Sequence, residues 1–117
     1  MSQEYEIKYN QFLSELARIL PKIDTNFACR MMYLERKLEN ESPPEPHVAL
    51  TIEYKSEVDR DAKRAQLRDQ YNLEVDIMDE PNKVLSMDRM FLEKINKIAS
   101  DPDILKITGK ASPTVRT

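Results

Sequence analysis

One cysteine, Cys29, and one glycine, Gly109, occur in 117 residues, and tryptophan is absent. A lone cysteine forbids an internal disulfide and denies a metal the paired thiolates of a CxxC site, so the chain reads as a protein of the cytoplasm. One glycine excludes the GxGxxG and GxxxxGK[ST] loops that cradle phosphates, and leaves the turns to Asn, Asp and Pro. No apolar run approaches the ~18 residues of a membrane span. The opening Met-Ser-Gln-Glu-Tyr-Glu has none of the layout of a signal peptide. The single histidine, His47, falls in a proline-rich stretch and reads as a solvated side chain. Cys29 lies beside an amphipathic face with only Arg30 as a basic neighbour in sequence, and reads as a half-buried thiol. No catalytic residue, metal ligand or cofactor site is nominated.

Charge is abundant and nearly balanced. Eighteen Lys and Arg stand against 21 Asp and Glu, a net charge of −3, too little to draw in nucleic acid or an anionic membrane as a whole. Only the last third, from Lys83, is mildly basic. Arg60, Lys63, Arg64 and Arg68 form a basic cluster, but Asp59, Asp61 and Asp69 interleave with it. An Asp59–Lys63 pair on a solvated helix is the expectation there, and nucleic-acid binding is the least favoured partner class.

The apolar residues that are present fall into two periods. In residues 3–20, Tyr5, Tyr9, Phe12, Leu13, Leu16, Ile19 and Leu20 share one helical face. Pro21 interrupts this helix. Asp24 or Thr25 can cap a second, to about Asn40, with Phe27, Met31, Leu34 and Leu38 on one face. The two helices form either a hairpin or one long helix kinked at Pro21, and the short polar connection favours the hairpin. In residues 41–47, prolines 43, 44 and 46 predict an extended spacer that holds residues 1–40 away from the rest of the chain.

From Val48 the period becomes two. Val48, Leu50, Ile52 and Tyr54 alternate with polar neighbours as in a half-buried strand. A helix from Ser56 or Asp59 to about Tyr71 comes next, stopped by Asn72 in the left-handed conformation. Leu73, Val75 and Ile77 mark a second strand, Lys83 to Met87 a third. Asp88 to about Ser100 is a helix with Phe91, Leu92, Ile95, Ile98 and Ala99 on one face, and Ile104 to Lys110 is the last strand. The expected fold class is therefore α+β. A helical hairpin precedes a ferredoxin-like βαββαβ domain, residues 48–117, with a four-stranded antiparallel sheet and both helices on one face.

The end of the chain resembles the subtilisin-propeptide-like group of ferredoxin-like domains. There Ile95, Ile98 and Ala99 lead into Asp101-Pro102, then Ile104-Leu105 and Ile107. The similarity spans about residues 47–113 and rests on spacings of hydrophobic residues. The resemblance implies a domain that covers a serine protease with its sheet. The tail Ser112-Pro113-Thr114-Val115-Arg116-Thr117 would then enter the protease cleft.

Because the fold hosts many functions, the expectation is a non-enzymatic protein–protein interaction or regulatory module. Its candidate contact residues are Tyr5, Tyr9, Phe12, Leu16, Phe27, Met31, Leu34 and Leu38, meeting a second copy or another protein through residues 3–40. The alternative is a stand-alone inhibitor or folding helper of a subtilisin-like protease, and a weak nucleic-acid association is a further one.

Overall fold

A computed structural model describes residues 2–113. Eight elements succeed one another: α1 (Ser2–Ile19), α2 (Thr25–Leu38), β1 (His47–Tyr54), α3 (Arg60–Tyr71), β2 (Val75–Ile77), β3 (Lys83–Arg89), α4 (Leu92–Ala99) and β4 (Ile104–Ser112). The strands form one sheet in the order β2-β3-β1-β4, with every neighbouring pair antiparallel.

The period of two sets the faces of this sheet. Val48, Leu50, Ile52 and Tyr54 of β1 are buried, and the residues between them are half-buried. Register aligns Leu50 with Ser86 and Gly109, and Ile52 with Val84 and Ile107, so these side chains share the covered face. Ser86, the polar member, donates its hydroxyl to the Glu74 carbonyl at 2.9 Å and so carries little burial cost there. The register slips between Glu53 and Tyr54, where Leu105 has no partner on β1 and half-emerges into solvent.

Local chemistry explains most boundaries. The Asp24 carboxylate accepts from the Phe27 amide at 3.0 Å and starts α2. Asp59 accepts from Asp61 and Ala62 and starts α3, and Asn72 ends it at φ 56°, ψ 42°. The helix most shortened against its periodicity is α4. Asp88 and Arg89 stay in β3, because pairing with Val48 and His47 satisfies their backbone in the sheet. Phe91 supplies no side-chain cap; the Glu35 carboxylate of α2 takes that role, accepting from the Leu92 amide at 2.7 Å.

That capping contact belongs to the main departure from the sequence reading. From Leu16 onward the helical arm is not held off by a spacer. Phe27, Ala28 and Met31 of α2 lie in the same core as β1, α4 and β4. The chain between α1 and α2 also locks onto the sheet edge: the Asp24 amide donates to the Ile107 carbonyl at 2.8 Å, and the Ile107 amide to the Lys22 carbonyl at 2.7 Å. Ile23 thereby forms a parallel bridge beside β4. The prolines bring the chain back to the body, since the Met90 amide donates to the Pro46 carbonyl and Arg89 donates to the Glu45 carbonyl, both at 3.1 Å. Apolar area explains the outcome: Phe27 and Met31 bury their side chains in one core with Ile104 and Ile107 of β4.

Gly109 permits this packing. A β-carbon there would lie 2.8 Å from the Ala49 carbonyl oxygen and 3.0–3.1 Å from two carbons of the Phe27 ring. Gly109 is thus the position over which α2 closes on the sheet, and close approach is its reason, since its φ is not positive. Gly109→Ala is expected to cost about 1–3 kcal/mol by overpacking. Phe27→Ala should cost about 3–5 kcal/mol. Denaturant melts check both; a loss of under about 0.5 kcal/mol for Phe27→Ala would show α2 to be dispensable to the core.

Candidate functional site

Residues 3–12 of α1 are all exposed, and α1 joins the core only through Leu16, with Leu20 just beyond its end. Tyr5 is 72% exposed, Tyr9 54% and Phe12 42%, and at spacings of four and three they form one line along the helix. The radius of gyration is 15.4 Å, against about 13 Å for a compact chain of this length. A helix standing off the body accounts for the excess. The exposed stretch, residues 3–12, is by itself shorter than the ~12–15 residues at which an isolated helix holds in water. Here an exposed Glu4–Lys8 pair supports the free turns, worth about 0.2–0.5 kcal/mol.

The eight residues expected to meet a partner divide sharply. Tyr5, Tyr9 and Phe12 are displayed. Leu16, Phe27, Met31, Leu34 and Leu38 are buried within the chain itself. Amphipathic faces look alike in sequence whether their own sheet or another molecule covers them, so periodicity alone does not separate the two groups.

The second surface is the uncovered face of the sheet. Ala49 and Thr51 of β1, Leu85 and Met87 of β3, and Thr108 of β4 form its centre, with Lys83, Lys106 and Lys110 around them and Glu53 between two of the lysines. A shallow hollow of about 400 Å³ lies over Ala49, Thr51, Leu85 and Thr108. His47, placed in the spacer by sequence, is instead the first residue of β1, opposite Arg89 and Ser112. Ser112 ends β4 and Pro113 is half-buried, whereas Thr114, Val115, Arg116 and Thr117 of the expected cleft-entering tail lie outside the described residues.

The third feature is a polar cluster at the end of α3 nearest the turn before β4. Lys63 does not pair with Asp59. It reaches inward to the carboxylates of Asp101 and Asp103, each at 2.8 Å, with its side chain largely buried. Lys22 donates to the Asp101 carbonyl at 2.8 Å, which ties the α1–α2 connection to the same turn. Arg60, from the same supposedly solvated cluster, donates to the carbonyls of Met78 and Glu80. Two of the four basic residues therefore brace the body of the protein. The signal missed in sequence is their spacing with Leu67 and Tyr71, which places Arg60, Lys63, Leu67 and Tyr71 on one helical face.

Hydrogen bonds to Asp101 and Asp103 hold the Lys63 ammonium above its ordinary range. Burial opposes ionisation of Asp101, but Lys63, the Asp103 amide and the charge of Lys22 outweigh it and hold the carboxyl below its ordinary value. Burial pushes the Tyr54 phenol up, reinforced by the charges of Asp101 and Asp103. Its hydroxyl has no hydrogen-bond partner among the described residues. The lysine fills the space between the two carboxylates, so the cluster offers no vacant position for a cation. Elsewhere among the described residues no three His, Cys, Asp or Glu side chains gather as metal ligands. Cys29 is half-buried against the core. No helix among the described residues is long and apolar enough to cross a membrane. An open groove of about 630 Å³ lies between the end of α3 and the start of α4, beside Tyr71, Arg89, Met90 and Phe91.

Comparison with protein-family models, with curated proteins and with solved structures found no match.

The lysine–aspartate cluster has a testable pH signature. A carboxyl whose folded value is lowered stabilises above its unfolded value, ordinarily 3.8, and that contribution is lost as pH falls through the lowered one. Lys63, raised when folded, contributes at all lower pH and loses its part only as pH climbs past its ordinary 10.5. Lys63→Met is expected to cost about 1–3 kcal/mol at neutral pH, by stranding two neighbouring carboxylates. The deficit should shrink toward pH 3 as Asp101 protonates. Urea melts of both proteins at the two pH values check it; a deficit independent of pH would assign the loss to packing.

Proposed function

We propose that this chain is a non-enzymatic protein-interaction module, an α+β body that displays the first turns of α1 as its contact element. The observation that carries the reading is the exposed line of Tyr5, Tyr9 and Phe12 on turns whose residues 3–12 are all exposed. Aromatic side chains supply large contact area at low entropic cost, and a helix with an apolar line suits docking into a groove or against another helix. A partner would cover the line and order the turns in one step. We read the body as a ferredoxin-like βαββαβ arrangement, supported by the element order after α2 and the strand order β2-β3-β1-β4. A cytoplasmic setting fits its single, half-buried cysteine.

The uncovered sheet face supports a second reading. Met87 and Leu85 sit at the centre of an apolar patch that no helix of the chain covers. In the subtilisin-propeptide-like group this face would be the one laid on a serine protease, with the tail from Ser112 leading into the cleft. Inhibition of a subtilisin-like protease at micromolar chain, lost in Met87→Glu, would favour it; full protease activity would remove it.

The contact reading separates stability from function. Tyr5→Ser with Tyr9→Ser should leave the unfolding free energy within about 0.5 kcal/mol, as for exposed sites. The same pair should abolish adducts formed in the source cells by a photo-crosslinking residue placed at Phe12. Adducts that persist in the double variant, or none at all in the unaltered chain, would overturn the contact role of α1.

A further inference from the structure

We infer that the partner of α1 is a second copy of this chain, its arm lying antiparallel across a twofold axis. This rests on the contact reading above and commits it to one occupant. The line Tyr5, Tyr9, Phe12, Leu16 runs at spacings of four, three and four, the repeat of a two-helix seam. Leu16 already turns into its own body at 7% exposure, so the free seam begins where the fold ends. The charges beside the seam choose the arrangement. Lys8 and Glu15 occupy equivalent positions, each immediately before a seam residue, Tyr9 or Leu16. In an antiparallel pair with Tyr9 against the second copy's Phe12, such positions face each other, and Lys8 meets the second copy's Glu15 on both sides of the axis. Shifting the register by one repeat either way sets Lys8 against Lys8 or Glu15 against Glu15. A parallel pair gives neither residue an opposite charge, because the facing positions are Leu13 and Leu20. Only the centred antiparallel register is complementary.

In that register Tyr5 reaches the root of the second arm, beside Leu16, and the aromatic line is closed over along its length. The covered area is small for a stable complex, so the dimer is a weak one, formed in the micromolar range. A membrane surface is disfavoured as occupant, because Glu4, Glu6 and Glu15 outnumber Lys8 and Arg18 on the polar side of α1.

The test uses the full chain in sedimentation velocity at high micromolar concentration. The unaltered protein is expected to shift from 13.7 kDa toward twice that mass. Lys8→Glu and Glu15→Lys should each weaken self-association about tenfold, since each sets two like-charged pairs across the axis. Mixed in equal amounts, the two variants should associate as the unaltered chain does, because both cross-axis pairs become opposite in charge. Each substitution also disturbs a pair within its own helix, but that effect persists in the mixture and cannot imitate the recovery. Monomers at every concentration, or a mixture no stronger than its components, overturn the antiparallel dimer. Photo-crosslinking to a different protein, lost with Tyr5→Ser and Tyr9→Ser, would then leave the contact role of α1 standing with another occupant.

Discussion

The edge of β4 governs how this chain is put together. An open strand edge exposes a row of unpaired amides and carbonyls, which natural sheets cover or blunt. Here the connection from Lys22 to Asp24 covers it, through two backbone hydrogen bonds to Ile107. Once those three residues are fixed, α2 must start where Asp24 caps it and run over β4, and Phe27 comes down on Gly109. Lys22, held in the same segment, reaches the Asp101 carbonyl. Asp101 in turn anchors Lys63 of α3. One edge contact thus joins elements from distant parts of the chain and leaves the first turns of α1 exposed.

The interior combines an apolar core with polar anchors that position the helices. Glu35 of α2 supplies the N-terminal cap that α4 lacks in its own sequence. Arg60 and Lys63 fasten α3 to the turn before β3 and to the turn before β4. Charged hydrogen bonds of this kind have directional geometry that apolar contacts lack. They suit a helix such as α3, whose one fully buried side chain is Leu67. Its orientation is fixed by polar groups as much as by hydrophobic burial.

Two of the surfaces left exposed among the described residues are the free turns of α1 and the outer sheet face. They differ in kind. The sheet face is held rigid by the layer behind it, so its lysines and its Leu85–Met87 centre are presented whether or not anything binds. The free turns of α1 have no such layer behind them, and Tyr5, Tyr9 and Phe12 stand exposed on them. The rest of the aromatic and aliphatic surface predicted for contact was consumed in folding.

The sequence by itself determined the α+β class, the number and order of the elements after Val48 and most helix starts, because these depend on local physics. A period of two at Val48–Tyr54, Asp24 and Asp59 as caps and Asn72 as a left-handed stop act over a few residues. It also marked Tyr5, Tyr9 and Phe12 as one apolar line. Only the tertiary structure decided which apolar faces are spent internally. Phe27, Met31, Leu34 and Leu38 show the same helical pattern as the exposed line, and the difference is that the rest of the chain covers them. The partner of Lys63 was likewise hidden, because Asp101 and Asp103 lie about forty residues away along the chain. The spacer misled for a related reason. Proline stiffness says how a segment extends, whereas the hydrogen bonds of Glu45 and Pro46 to Arg89 and Met90 decide where it goes.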